Sequence, residues 1–242
     1  MILSVGPFVR AGIEESMGFI EPGQNSQEDV GRAYRSPAWW YDLRGGLFVL
    51  PCAYNTGPGY LVRFFGGNFG ARHLELACGT GTFLAMVLRH RRRRGLPDPE
   101  IVGVDYAASM LEGAVDRFSS NPEIVIEKGD ATDLRFDDES FDTVNVANAL
   151  HCIPEVDKAM SEMFRVLKPG GTAATNVLLY PRGGRLRRRV AAAVDAWGIR
   201  KGILHTPYEK EDVRRRLVSA GFDVVREELS GNCYNILLRK NT

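Results

Sequence analysis

A glycine-rich segment, residues 73–83, carries the clearest chemical signal in the chain. It reads His-Leu-Glu-Leu-Ala-Cys-Gly-Thr-Gly-Thr-Phe, an apolar run followed by a glycine turn and then a helix-forming run. Gly79 and Gly81 can adopt backbone angles closed to other residues, and they let a ligand approach the main chain closely. Amide groups at the start of the next helix favour negative or electron-rich ligand atoms. The spacing predicts a cofactor pocket, with Glu75 near the carboxyl end of a strand.

Further polar residues follow later strand-like runs. Asp105 closes the run Ile-Val-Gly-Val-Asp, and a carboxylate there can accept hydrogen bonds from both hydroxyls of a ribose. Asp130 can accept a hydrogen bond from an adenine amino group, and the small Ala131 leaves room for the ring. Asp142 is predicted as a fourth strand-end acid, and residues 145–151 then carry the chain over the reactive end of the cofactor. Each feature is weak alone because a strand-end acid can simply cap a helix, but their order makes the set specific.

Strand-like and helix-like runs alternate from residue 73 onward. The predicted strands are residues 74–77, 101–105, 124–128, 143–147, 172–178, 222–228 and 233–239. The predicted helices are residues 82–93, 109–118, 156–166, 185–197 and 210–220. This alternation predicts a parallel sheet with right-handed crossovers and helices on both faces. Ser230-Gly231-Asn232 is a turn signal, so the last two strands are predicted to pair as an antiparallel hairpin.

In this order, the motifs resemble those of the class I S-adenosylmethionine-dependent methyltransferases. The resemblance covers about residues 70–240, and it is closest to the branch that includes ubiquinone and menaquinone methyltransferases. The family pattern acidic-x-Gly-x-Gly-x-Gly is matched from Glu75 to Gly81, with Ala77 in place of the first glycine. The resemblance implies an α/β fold: a Rossmann-like seven-stranded sheet, mostly parallel with an antiparallel C-terminal hairpin strand, and helices on both faces.

The resemblance also implies S-adenosyl-L-methionine as the cofactor and assigns roles to residues. Glu75 would lie near the methionine amino group, and Asn148 would flank the sulfonium. The cofactor-binding residues that it implies are Glu75, Ala77, Gly79, Gly81, Asp105, Tyr106, Asp130, Ala131 and Asn148. A dinucleotide-binding dehydrogenase is disfavoured because Leu84 stands where Gly-x-Gly-x-x-Gly requires its last glycine.

The catalytic side of the site is less constrained. A general base is needed only if the acceptor must lose a proton, as a phenol or an enol carbon would. His151 and Tyr41 are the candidate catalytic residues, and the alternative for His151 is a packed imidazole. No metal ligand set is predicted, although convergence of His151 with Asp130, Asp133 and Asp142 stays open on spacing alone.

A narrower resemblance gives an alternative activity. Residues 40–45, 147–152 and 197–203 resemble the rhodoquinone-biosynthesis enzymes, which share the methyltransferase fold. That resemblance implies exchange of a quinone methoxy group for an amino group, with S-adenosylmethionine as amino donor and a divalent metal. It also draws attention to Tyr106, beside the nucleotide. A non-catalytic quinone- or nucleotide-binding protein on the same fold is the third hypothesis.

The chain divides into three predicted parts. Residues 1–30 are predicted to be a loosely ordered leader, residues 31–70 an N-terminal helical cap or lid, and residues 71–242 the S-adenosylmethionine-binding catalytic domain. The aromatic residues concentrated within residues 39–54 favour a small hydrophobic substrate such as a membrane quinone.

Composition limits the partners. The net charge of +1 gives no reason to expect nucleic acid, and no apolar run approaches the roughly 20 residues of a membrane span. We therefore expect a cytoplasmic protein. The arginine runs at residues 89–94, 187–189 and 214–216 are expected on solvated helix faces, and they leave open a peripheral contact with anionic lipid.

Overall fold

A computed structural model describes residues 52–241 together with Ser26 and Glu28. The helices are α1 (Pro58–Gly66), α2 (Thr82–Arg93), α3 (Ala108–Phe118), α4 (Val156–Val166), α5 (Arg185–Arg200) and α6 (Lys210–Ser219). The strands are β1 (Arg72–Leu76), β2 (Glu100–Asp105), β3 (Ile124–Lys128), β4 (Phe141–Val146), β5 (Leu167–Leu178), β6 (Phe222–Ser230) and β7 (Cys233–Lys240). The predicted leader lies outside the described residues apart from Ser26 and Glu28. The predicted cap lies outside them up to residue 51, and so does Tyr41.

The strands form one seven-stranded sheet in the order β3-β2-β1-β4-β5-β7-β6. Strands β1 to β5 pair in parallel, whereas β7 pairs antiparallel with both β5 and β6. The predicted α/β sheet with its antiparallel hairpin is therefore confirmed. The strand order reverses beside β1, and open sheets of this type bind ligands at the carboxyl ends of the strands where the order reverses. The carboxyl ends of β1 and β4 therefore mark the expected site.

Helices cover both faces of the sheet. On one face, α4 and α6 contribute Met160, Met163 and Leu217 to a core that also contains Leu74 and Val144 of the sheet. Along β1 the side chains alternate between faces, so His73 and Glu75 point to the opposite face. That face is covered by α1, α2 and α3, whose buried side chains include Leu61, Phe65, Leu84, Leu88 and Phe118.

The turn between β6 and β7 holds the segment before α1 against the sheet. Gly231 adopts φ +63°, and a Cβ there would lie 2.5 Å from the Tyr54 carbonyl oxygen, so only glycine permits this approach. Asn232 donates its backbone N–H to that carbonyl at 2.7 Å and its side-chain amide to the Ala53 carbonyl at 2.7 Å. Its side-chain oxygen accepts from the backbone N–H of Arg182 at 2.9 Å. One turn therefore positions both the segment before α1 and the segment before α5.

Two sequence-based expectations need correction. Strand β5 begins at Leu167 rather than at residue 172, because Leu167 pairs with Phe141 beyond an irregularity in the β4–β5 register. Asp142 lies at the start of β4, at the opposite edge of the sheet from the glycine turn. Its carboxylate accepts from the Arg72 backbone N–H at 2.8 Å and from Lys168 Nζ at 2.7 Å, which lowers the pKa of Asp142. Asp142 therefore anchors strands and is not a site residue.

Candidate active site

The glycine turn has the backbone geometry that its sequence predicts. Ala77, Gly79 and Gly81 all adopt left-handed conformations, with φ of +56°, +56° and +72°. A Cβ on Gly81 would lie 2.6 Å from the Phe118 ring, so that glycine permits close packing of the turn on α3. A Cβ on Gly79 would have no neighbour within 4 Å. The space beside Gly79 is therefore open to a ligand, whereas the space beside Gly81 is filled by the protein.

Ala77 occupies a strained conformation. A left-handed backbone costs a residue with a Cβ about 1–2 kcal/mol, and the family pattern has glycine at this position. The small methyl side chain is nevertheless compatible with the turn, since Ala77 keeps the left-handed conformation. Alanine in place of glycine therefore lowers the stability of the turn without changing its backbone conformation.

The carboxylate of Asp105 joins the glycine turn to the end of β2. One carboxylate oxygen accepts from the Gly79 backbone N–H at 2.7 Å, and the other accepts from the Ala107 backbone N–H at 2.9 Å. Burial raises the pKa of Asp105, and these two amide contacts oppose that effect. Because each carboxylate oxygen can accept more than one hydrogen bond, the group is still able to accept from a pair of ribose hydroxyls.

The loop after β3 lies at the same edge of the sheet. One carboxylate oxygen of Asp130 accepts from both the backbone N–H and the hydroxyl of Thr132, each at 2.8 Å, which fixes the loop. Ala131 is buried beside it. Tyr106 directly follows Asp105 in the chain. The Lys128 ammonium lies 5.8 Å from the centroid of its ring, which is a cation–π contact.

Glu75 lies in a buried polar network beneath the turn. Its carboxyl oxygen is 3.3 Å from His73 Nε2, and the neighbouring Asn145 side chain partly opposes the effect of burial on its pKa. Burial raises the pKa of Glu75 to about 8 and, together with the charge of Arg91, lowers the pKa of His73 to about 3. Burial therefore favours the neutral form of both groups, and between neutral groups the contact is a hydrogen bond rather than an ion pair. Asn68 completes the network by donating to the Asn145 side-chain oxygen at 2.9 Å.

The segment after β4 is held by two asparagines. Asn148 adopts a left-handed φ of +57°, and its backbone N–H donates to the Asn176 side-chain oxygen at 2.6 Å. The Asn176 amide donates in return to the Asn148 side-chain oxygen at 2.6 Å. Sequence reasoning did not select Asn176. The signal that could have found it is an asparagine in the mostly apolar residues 173–178 at the end of β5. In the structure this amide is fully buried.

His151 has both ring nitrogens in hydrogen bonds. The Leu178 backbone N–H lies 3.4 Å from Nδ1, and the Tyr54 hydroxyl lies 2.5 Å from Nε2. Because Nδ1 accepts from an amide, the ring proton of the neutral imidazole resides on Nε2. Burial lowers the pKa of His151 to about 3, so the ring is neutral at physiological pH. Tyr54 ends the aromatic run of residues 39–54, and the sequence alone indicated no separate role for it in the site.

The described part of the chain contains no group of three or more His, Cys, Asp or Glu side chains arranged to hold a metal ion. The cysteines Cys52, Cys78, Cys152 and Cys233 are free thiols. Within residues 52–241, no helix has the length and apolar character needed to cross a membrane.

Comparison with known proteins agrees with this geometry. A family model described as a methyltransferase domain matches residues 74–175, from β1 through the glycine turn to β5. Residues 74–175 are therefore similar to a methyltransferase domain. That similarity implies S-adenosylmethionine as the cofactor.

Two kinds of relatives extend the comparison. Demethylmenaquinone methyltransferase of Staphylococcus aureus is 33% identical over 146 residues, which are 60% of this chain and 58% of that protein. The chain thus aligns with less than two thirds of that relative. A SAM-dependent methyltransferase of Thermotoga maritima superposes with a TM-score of 0.63 at 20% identity, over 87% of this chain and 99% of that one. The cyclase SpnF superposes with a TM-score of 0.60 at 19% identity, over 85% and 95% of the two chains. Likeness at these identities establishes the fold alone.

Replacing Asp105 with alanine tests the assignment of the cofactor pocket. Loss of the carboxylate removes the acceptor proposed for ribose and the contact that fixes Gly79. Because hydrogen bonds to a charged group contribute about 1.5–3 kcal/mol, we expect the dissociation constant for S-adenosylmethionine to rise roughly 10- to 100-fold. Equilibrium dialysis with labelled cofactor measures it. Asp223→Ala, at an exposed position of β6, is the control, and unchanged affinity in Asp105→Ala would remove Asp105 from the site.

Proposed function

We propose that this protein transfers the methyl group of S-adenosylmethionine to a small hydrophobic acceptor, a quinone or a related aromatic compound. The observation that carries the proposal is the alignment of Gly79, Asp105, Asp130 and Asn148 along one edge of the sheet, with open space beside Gly79. This arrangement combines hydrogen-bond acceptors suited to a nucleoside with a backbone turn that a ligand can approach.

The residues present fit that cofactor. Asp105 would hold the ribose, Asp130 and Ala131 would hold the adenine, and Glu75 would lie toward the methionine amino group. A positive amino group near Glu75 would favour the ionised carboxylate and offset the effect of burial on its pKa. When bound, S-adenosylmethionine supplies an activated methyl group on a positively charged sulfur. The protein itself needs mainly to align the acceptor with that group and to exclude water.

The acceptor side is proposed to lie above the ends of β4 and β5. Asn148 would flank the sulfonium. Its hydrogen bonds with Asn176 fix the loop in which it lies. His151 and Tyr41 stay the candidate bases. For His151, the geometry supports a positioning role through the Tyr54 hydroxyl, because a buried imidazole with a pKa of about 3 is a weak base.

The hydrophobic acceptor is supported by the relative and by the chain itself. The Staphylococcus aureus relative is named for a demethylated menaquinone. In this chain, Ala53, Tyr54, Leu178 and Leu204 belong to one apolar cluster, which Ala147, the residue before Asn148, joins at its edge. We propose that an aromatic acceptor binds against this cluster. Because quinones of this kind reside in membranes, the protein is expected to work at a membrane surface.

Mass spectrometry of a demethylmenaquinone extract, reduced and incubated with the enzyme and S-adenosylmethionine, tests the proposal. We expect a product heavier by one methyl group, formed only with both enzyme and cofactor. With a ubiquinone extract, loss of a methoxy group and gain of an amino group would contradict methyl transfer and support the rhodoquinone-type exchange. Neither product, in the presence of measurable cofactor binding, would support a non-catalytic binding protein.

A further inference from the structure

Helix α5 buries a carboxylate that has no partner among the described residues. Asp195 is 5% exposed, and within residues 52–241 neither of its carboxylate oxygens has a hydrogen-bond partner. It lies on the inner face of the helix with Ala191 and Gly198, which are also buried. Burying a carboxylate without a hydrogen bond is costly, so such a group calls for a functional explanation. Burial raises the pKa of Asp195 to about 7, which makes the group able to ionise near neutral pH.

The residues that neighbour Asp195 in the chain contact the proposed acceptor side of the site. The neighbouring Val194 packs on the apolar cluster that contains Tyr54. In the loop after α5, the backbone N–H groups of His205 and Thr206 donate to the His151 carbonyl oxygen at 3.0 and 3.3 Å. The Nδ1 atom of His205 is likewise buried, and it has no hydrogen-bond partner in the described part of the chain. Helix α5 and the loop after it, which carry these two polar side chains, therefore contact the apolar cluster and the His151 carbonyl oxygen.

We propose that Asp195 accepts a hydrogen bond from a hydroxyl group of an aromatic acceptor molecule. The inference rests on the proposed function, and it assigns the polar recognition of the acceptor to α5. An acceptor with a hydroxyl donor, such as a reduced quinone, would satisfy the carboxylate that the protein leaves unpaired. An acceptor without a donor would gain nothing from it.

Binding of two small probes tests this proposal. The probes are 1,4-naphthohydroquinone, which has hydroxyl donors, and 1,4-dimethoxynaphthalene, which has none. Their affinities are measured anaerobically at pH 8 in the presence of S-adenosylhomocysteine. We expect Asp195→Leu to weaken naphthohydroquinone binding roughly 10- to 100-fold and to leave dimethoxynaphthalene binding unchanged. Asp195→Asn, which keeps a neutral acceptor, should lose less, and the exposed Asp223→Asn should lose nothing.

Thermal melting separates recognition from a structural role. Because burial raises the pKa of Asp195, the folded state holds a proton that the unfolded state releases from about pH 4 upward, so this carboxylate destabilises the fold as pH rises toward 7. Asp195→Asn should therefore raise Tm more at pH 8 than at pH 5. Equal naphthohydroquinone binding by wild type and Asp195→Leu would overturn the proposal. A separate titration with S-adenosylmethionine shows whether the protein binds its proposed cofactor, and therefore whether the proposed function itself has failed.

The first half of α5 carries a second, independent observation. The side chains of Arg182, Arg185 and residues 187–189 are exposed and have no ion pair or hydrogen bond within the described part of the chain. No acidic residue lies in the first turn of α5, so these cations lie where the helix dipole disfavours them. By contrast, Arg214, Arg215 and Arg216 on α6 form ion pairs with carboxylates.

Apolar side chains are exposed among these arginines. Leu186 is 76% exposed, Tyr180 is 48% exposed and Val190 is 43% exposed. The segment directly follows β5, whose end lies at the same edge of the sheet as the glycine turn. Unpaired cations interleaved with exposed apolar side chains are typical of helices that bind at an anionic lipid surface. A nucleic acid would match the charge but not the apolar side chains.

We infer that residues 180–190 dock on an anionic bilayer and bring the acceptor side of the site to the membrane. Cosedimentation of the full chain with vesicles of phosphatidylglycerol and phosphatidylcholine tests this inference. Each arginine near such a surface contributes about 1 kcal/mol, so replacing arginines 187–189 with glutamine should weaken binding roughly 100-fold. Leu186→Ser should further weaken vesicle binding at high salt, where the charges of the arginines are screened and the apolar side chain matters more.

The chain offers a matched control at the opposite edge of the sheet. Arg89, Arg93 and Arg94 at the end of α2 are also exposed, and there the helix dipole favours cations. Their replacement with glutamine should leave vesicle binding unchanged. Equal loss in both triple variants, no binding of wild type to anionic vesicles, or retention on single-stranded DNA in place of vesicles would each overturn the inference.

Discussion

The hydrogen bond from the Gly79 backbone N–H to the Asp105 carboxylate is the contact on which the site depends. It connects the turn after β1 with the end of β2, two segments 26 residues apart in the chain. The same carboxylate accepts from Ala107 at the start of α3, so one side chain sets the relative positions of a turn, a strand and a helix. Because these contacts satisfy the carboxylate in the folded protein, Asp105 is fixed in place before any ligand arrives. The proposed pocket is thus preorganised.

The sequence predicted the fold well because its signals are local. Alternating strand and helix patterns, together with one turn signal before Cys233, were sufficient to anticipate the parallel sheet and its antiparallel hairpin. The glycine turn was also predictable, since left-handed conformations at Gly79 and Gly81 are encoded by residue type. Asp142 shows the limit of this approach. A strand-end acid and a strand-start acid look alike in sequence, and only the pairing of β4 shows which edge of the sheet the residue occupies.

The partners of site residues could not be predicted because they come from distant segments. Tyr54 contacts His151 across 97 residues of sequence, and Asn176 contacts Asn148 across 28.

Asp195 could not be predicted for another reason. The sequence of its helix has an ordinary amphipathic pattern, and Asp195 is distinguished only by being buried with no partner in the described part of the chain. In α5 the two halves differ physically: the exposed first half concentrates cations, and the second half buries one carboxylate. We propose that both halves serve one acceptor, a hydrophobic molecule with a polar ring that arrives from a membrane.

The central claim is that S-adenosylmethionine binds beside Gly79. Calorimetric titration of the cofactor into wild type, Gly79→Ala and Gly95→Ala tests it most directly. Both glycines adopt a left-handed φ, and an added Cβ would meet no protein atom within 4 Å at either position. The two variants should therefore lose similar stability, about 1–2 kcal/mol. We expect one cofactor per wild-type chain, about tenfold or more weaker binding in Gly79→Ala, and unchanged binding in Gly95→Ala. No binding to wild type, or equal affinity in all three proteins, would contradict the account.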